Sequence, residues 1–207
     1  LDSNGYIEGR SVSFSAVFVV VTLSGDEMVY DFETMQRGQF HYTVHAGWIG
    51  TGLCTTLVGN SISPYVGAVW GFNPPDRNTN APAAIKRDYS GPFAMGQIGL
   101  ETPSVPVNAG GGIVGFSSVY PGTTMPNWDV YGANAYLDVN AGLGLETLTS
   151  VEGAVLVADY TLLDWKDYNW NLDAMIQDIR SGNGSPIGAP NQARDWAVRR
   201  ALAWWGR

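Results

Sequence analysis

The run Asn108-Ala109-Gly110-Gly111-Gly112-Ile113-Val114-Gly115-Phe116-Ser117-Ser118-Val119 decides the reading of the fold. Ile, Val and Phe mark a strand from Ile113 to Val119, but glycine both precedes and interrupts it. A glycine inside a strand marks a bulge, sharp coiling or the close approach of another backbone. No Lys follows the glycine run, and the run opens a strand, so it is not a phosphate-cradling loop. The same habit recurs at Gly67, Gly71, Gly96, Gly99, Gly132, Gly142 and Gly144. A tightly curved closed barrel needs such positions more than a flat sandwich does. The expected fold is all-β, an antiparallel closed β-barrel, with a β-sandwich as the alternative.

The segments around this run read the same way. Ser11 to Leu23 and Met28 to Glu33 flank the turn-like Ser24-Gly25-Asp26-Glu27, a hairpin signal. Further strands are expected at Gly38–Ile49, Leu53–Val58, Ser63–Phe72, Pro92–Glu101, Val130–Val139, Gly142–Leu148 and Val151–Leu163, nine to ten in all. Pro74 to Pro92 reads as a polar surface loop. After Trp170 the period changes. Leu172, Met175, Ile176 and Ile179 stand at helical spacing, and Gly182-Asn183-Gly184 stops that helix. A second helix starting near Asn191 would carry Ala193, Trp196, Ala197, Ala201 and Trp204 as its apolar stripe. The expected organisation is a barrel over residues 1–170 with a helical appendage over 171–207 packed on it.

Composition excludes several classes. Charged residues make up 14% of the 207, well below the roughly 25% of an average globular chain, and aromatics reach 12%. Such a chain is neither a solvated coil nor a coiled coil. Residues 1–170 hold sixteen acids and six bases, while residues 171–207 hold three acids and five bases. An acidic body repels phosphate backbones, which argues against nucleic acid as a partner. The single cysteine, Cys54, cannot form an internal disulfide. The chain begins at Leu1 without Met, which reads as a processed or trimmed product from which any signal peptide has gone. Its longest apolar run, Ala16 to Val21, is far shorter than the roughly 20 residues of a membrane-spanning helix, so no transmembrane segment is expected.

Four groups of residues invite chemistry. His41 and His45 lie four apart on one strand, about 13 Å at the usual rise, too far to share a metal. Either could act only with a distant partner, Cys54 being one. Asp31 with Glu33, or Asp159 with Asp164, could form the carboxylate pair of a glycosidase beside aromatic platforms; motifs of xylanases, cellulases and polysaccharide lyases are absent. Asp167, Asn169, Asn171 and Asp178 fall at the first, third, fifth and twelfth places of a calcium loop, but Leu172 stands where the loop needs glycine. Apart from that calcium ion, no cofactor is expected. The tail combines Trp196, Arg199, Trp204 and Trp205, and with Trp165, Tyr168 and Trp170 these are candidate binding residues, since Trp and Arg dominate protein hot spots and interfacial helices. Alternatively, the second helix plugs a barrel end, with Trp196 and Trp204 inward.

The leading functional expectation is a secreted, soluble barrel that acts by surface binding to a protein, a carbohydrate or a membrane surface at a host or cell surface, as a virulence or toxin factor does. A carbohydrate-active hydrolase is one alternative. A carrier or cyclase using the barrel lumen for a small apolar molecule is another, and it requires an internal pocket with one or two isolated polar groups.

Overall fold

The computed structural model describes residues 4–16, 19–46, 56–71, 89–102, 107–120, 122–123, 125–144, 150–187 and 191–206, with 13–16, 19–22, 45–46, 56–61, 97–102, 107–109, 138–144 and 150–156 described by backbone alone. Eight strands form a closed barrel: β1 Gly5–Ala16, β2 Val19–Asp31, β3 Gln36–Ala46, β4 Thr56–Trp70, β5 Gly91–Thr102, β6 Val107–Val119, β7 Pro126–Gly144 and β8 Ser150–Asp167. Their order around the barrel is β1-β2-β3-β8-β5-β6-β7-β4, closing on β1, and every neighbouring pair is antiparallel. Two helices follow, α1 Leu172–Ser181 and α2 Asn191–Trp204. The closed barrel and its helical appendage are as the sequence implies.

The strand count differs from the nine to ten expected, because residues that look like turns lie within long strands and the expected Ser11–Leu23 strand is divided between β1 and β2. Ser24-Gly25-Asp26-Glu27 runs straight through β2. There Gly25 is paired with Ser11 and Tyr42, Asp26 meets His41 on the outer face, and Glu27 turns inward. Likewise β4 and β7 each merge two expected strands into one of 15 and 19 residues. Most of the expected Pro74–Pro92 loop lies outside the described residues.

Three strand glycines serve the packing of interior rings, while Gly96 and Gly115 face open space. A Cβ on Gly9 would stand 2.3 Å from the Tyr65 ring, one on Gly25 2.5 Å from Tyr42, and one on Gly132 2.3 Å from Phe116. Each glycine therefore leaves the space that an aromatic ring from a neighbouring strand fills. Phe40, Tyr89, Phe93, Phe116 and Tyr160 pack edge-on and tilted, with ring centroids 5.0–6.5 Å apart. Full burial of such a ring contributes about 1.5–3 kcal/mol.

The helices lie against the outside of the barrel. On the outer face of β1 and β2, Tyr6, Met28 and Tyr30 are buried beneath Leu172, Met175 and Ile179 of α1 and Ala197, Val198 and Ala201 of α2. Asn171 caps α1, accepting from the Ala174 N–H, and Gly182 ends it in the left-handed conformation, φ 62°. The apolar stripe of α2 keeps the expected Ala197 and Ala201 against the barrel but adds Val198, and Trp205 in place of Trp204 follows one turn on. Trp204 points to solvent, while Trp205 donates its indole N–H to the Phe32 carbonyl at 2.6 Å. The helix is a strap over the wall and not the plug of a barrel end. Arg194 of α2 reaches the buried Glu8 carboxylate at 3.5 Å, tying the basic tail to the acidic body.

Candidate functional site

Among the described residues the outer wall opposite the α1 side is bare. Alternation along a strand puts every second residue on one face, and directly opposed residues of paired strands share that face. Val12 pairs with Ile62, Val66 with Ala135, Ala135 with Ile113, Ala68 with Ala133, and Trp70 with Tyr131. These outward positions of β4, β6 and β7 carry no charge. Large apolar side chains stand open to solvent among them: Val12 is 44% exposed, Ile62 50%, Ile113 62% and Leu137 68%. Where the wall meets the flank of α2, Val66, Ala68, Ile113 and Ala135 form one side of an open groove of about 410 Å³, with Tyr6, Ala193 and Trp196 at its edge.

An aromatic array ends the wall. Tyr131 stacks on Trp70 at 5.8 Å, and Trp128 meets Tyr131 edge-on at 6.4 Å. Trp128 is 65% exposed and held at φ 61°, a conformation that bulky side chains avoid. Local bonds hold it there. Its N–H donates to Ser117 Oγ at 3.1 Å, the Val130 N–H donates to Ser118 Oγ at 3.1 Å, and Asn127 Oδ1 accepts from Ser118 and from the Asp129 N–H. These bonds sit at the register shift between Ser117 and Val119, where β7 carries extra residues that re-aim the tryptophan.

Inside the barrel, Glu27 is 1% exposed and accepts from Tyr65 at 2.6 Å and Tyr89 at 2.5 Å. Burial pushes its carboxyl up to about 7 against the opposing pull of those two hydroxyls. A carboxyl near 7 has the tuning a general acid–base needs. Both of its oxygens, however, are taken by phenols of the packed core, so among the described residues Glu27 serves the interior.

The residues singled out for chemistry fall apart in space. Asp31 ends β2 and Glu33 lies in the following turn, so the two do not share a strand face. Asp31 accepts from the Glu33 N–H at 2.9 Å and from Thr34, and Glu33 accepts from Asn4 at 2.9 Å; both shape the β2–β3 turn. Asp164 is ion-paired with Arg37 at 3.1 Å, and Asp159 stands exposed on the outer ladder of β8. His41 bonds Asp26 at 2.9 Å on the outer face; the His45 side chain and Cys54 lie outside the described residues.

The calcium positions are engaged elsewhere. Asp167 Oδ1 accepts from the Asn169 N–H, and Asn171 caps α1. Asp178 is buried between Arg37 and Lys166, each 3.3 Å away, and accepts from Tyr168. A carboxylate already neutralised by two cations is a poor ligand for a third. Among the binding residues, Tyr168 is core. Trp196 packs on Tyr6 at 6.3 Å, Trp205 is docked, and Trp165, Trp170, Arg199 and Trp204 are exposed, with Trp170 edge-on to Trp205 at 5.6 Å.

Sequence reasoning missed the bare wall. Its signal was the strict alternation of Val130–Val139, apolar at every second residue, but only barrel closure brings four strands' worth of such positions together.

No family model matches the chain, and no curated protein matches it. Among solved structures, an α-galactosidase of glycoside hydrolase family 36 from Geobacillus stearothermophilus, crystallised with raffinose, is 12% identical over 77% of this chain and 26% of that one. The chain thus spans about a quarter of that protein's length, and at a TM-score of 0.13 the likeness carries no argument.

Proposed function

We propose that the protein is a surface-binding barrel whose contact face is the bare outer wall of β4, β6 and β7, with Val12 of β1 at its margin and the adjoining flank of α2. One observation carries this reading: Ile62, Ile113 and Leu137 stand exposed in one charge-free ladder of β4, β6 and β7, continuous with the groove beside Trp196 and bordered on β1 by Val12 and by Arg10, which pairs with Asp26. Exposed apolar surface of this continuity marks an interaction site on a folded protein. The locked Trp128 supports the same reading, because a rigid aromatic anchor loses little entropy on binding. A location at a cell surface, reached by export, goes with it.

Carbene footprinting of the full chain tests the proposal, alone and with vesicles, with an insoluble polysaccharide, or at raised protein concentration. Whichever condition gives binding, protection is expected at Ile62, Ile113, Ala135 and Leu137 and not at Asp26, His41 or Thr161. Protection on the His41 side, or protection under no condition, contradicts the reading.

A further inference from the structure

We infer that the partner of the bare wall is lipid hydrocarbon: the end of the barrel remote from α1 seats in a bilayer, with Trp70, Trp128 and Tyr131 at the boundary. This rests on the proposed contact face and names what covers it.

The boundary can be traced strand by strand. The pairs Trp70 with Tyr131, Tyr131 with Ser117, Ser117 with Ala94, and Ala94 with Val157 make one continuous row across β4, β7, β6, β5 and β8. On the α1 side of that row the next outward position of β8 is the charged Asp159, paired with Pro92. On the other side, the positions in step with Ala94 and Val157 are Gly96, Ile98 and Leu100 on β5 and Val155, Gly153 and Val151 on β8. Along β7 the positions in step with Leu137 continue as Val139, Ala141 and Leu143. Charge is absent from this ladder in all five strands.

The opposite ladder has the opposite chemistry. On these five strands the charged residues beyond the row, Glu101, Asp138 and Glu152, all fall in step with inward-facing positions, and Glu101 and Asp138 are both paired with Gly110; on β1 and β2 the outward Arg10 and Asp26 are paired with each other. Ser13 pairs with Ser61, Ser61 with Asn140, and Asn140 with Asn108. Asn134, buried inside the barrel, has a side-chain oxygen with no hydrogen-bond partner among the described groups.

A water-surrounded barrel fills its interior with apolar side chains, as this barrel does at its other end, and turns polar ones to solvent. A second copy of the chain would explain an apolar exterior but would leave the polar inner ladder without a cause. Lipid outside and a polar interior explain both, as in membrane barrels, where strands alternate apolar-out and polar-in between aromatic girdles.

The lengths agree. From the row to their ends, β4 offers 15 residues and β7 offers 14, more than the roughly 9–11 that a tilted strand needs to cross hydrocarbon. Among the described residues no helix is long and apolar enough to cross, and this contact asks none to do so. The net charge of −8 makes a zwitterionic headgroup the better match than an anionic one.

The test is flotation of the full chain after detergent removal in the presence of phosphatidylcholine vesicles. The chain is expected to float with the lipid. Leu137→Arg and Ile113→Arg, at sites open enough to leave the lipid-free thermal midpoint unchanged, are expected to lower the floating fraction at least tenfold, and Thr161→Arg is expected to leave it unchanged. A chain that stays below and self-associates, with Leu137→Arg making it monomeric, overturns the lipid assignment and keeps the wall as contact face. A chain that stays below as a monomer overturns both. Equal loss with Thr161→Arg overturns the assignment to this wall.

Discussion

Two walls of one barrel carry similar outward residues and meet different fates. On β1 and β2, Tyr6, Met28 and Tyr30 are covered by α1 and α2 and fall to 1% exposure or less. On β4, β6 and β7, Ile62, Ile113 and Leu137 keep half or more of their surface open. The first wall draws its cover from its own chain, which brings capped helices, an Arg194–Glu8 ion pair and the Trp205 bond to Phe32. Nothing described in the chain performs that service for the second. An apolar wall stabilises a fold only when something covers it, and the bare wall therefore points outside the molecule.

The comparison can be broken at the covered wall first. Ala197 is fully buried on the barrel-facing side of α2, so Ala197→Asp puts an unpaired charge against Tyr6 and Met28 and should cost about 3–5 kcal/mol. Urea denaturation measures this; a loss below 1 kcal/mol would mean that the strap does not hold the wall.

The next effect is pH-dependent and belongs to the interior. The folded carboxyl of Glu27, at about 7, binds its proton more tightly than the ordinary 4.5 of the unfolded chain. Stability is therefore highest below about 4.5 and falls as pH rises to about 7. The full cost, on the order of 3 kcal/mol, is present at pH 8. Asp31, raised by burial to about 7, acts with the same sign. Glu27→Gln should raise stability at pH 8 by about 2–3 kcal/mol, leave pH 4 nearly unchanged and keep the part of the slope due to Asp31. Equal stability of the two proteins across pH 4–8 would show that Glu27 is not a strained buried acid.

Smaller effects sharpen the contrast. Asn171→Ala removes the α1 cap and should cost about 1 kcal/mol, seen as a lower urea midpoint. Leu137→Arg on the bare wall should stay within about 0.5 kcal/mol in lipid-free buffer, because nothing packs there to lose. A large loss would mean that the wall is covered by the chain itself.

The sequence made the barrel readable through its strand glycines, because Gly67, Gly111 and Gly132 lie where a neighbouring backbone or ring needs the space, whereas Gly25, which serves the same purpose, reads as part of a turn. Strand ends were less readable. Ser24-Gly25-Asp26-Glu27 resembles a turn by composition, yet each residue has a place in the alternation of β2, and only the facing strands supply those places. Attention to the candidate site went to locally dense features, the acids around Asp167 and the Trp/Arg tail, which turn out to be turn bonds, caps and a docked strap. In the stripe of α2, Ala197 and Ala201 are buried as expected and Trp204 is not, because Trp204 and Trp205 are both apolar and only the position of Phe32 chooses between them. The bare wall is spread in steps of two over four strands distant in sequence, so composition windows cannot gather it.

The most direct measurement of the central claim is quenching of tryptophan fluorescence by phosphatidylcholine brominated near the headgroup end of its acyl chains. The account predicts strong quenching of the full chain that falls in the Trp128→Phe and Trp70→Phe variants and persists in Trp204→Phe. No quenching, or quenching lost with Trp204→Phe and kept with Trp128→Phe, would contradict it.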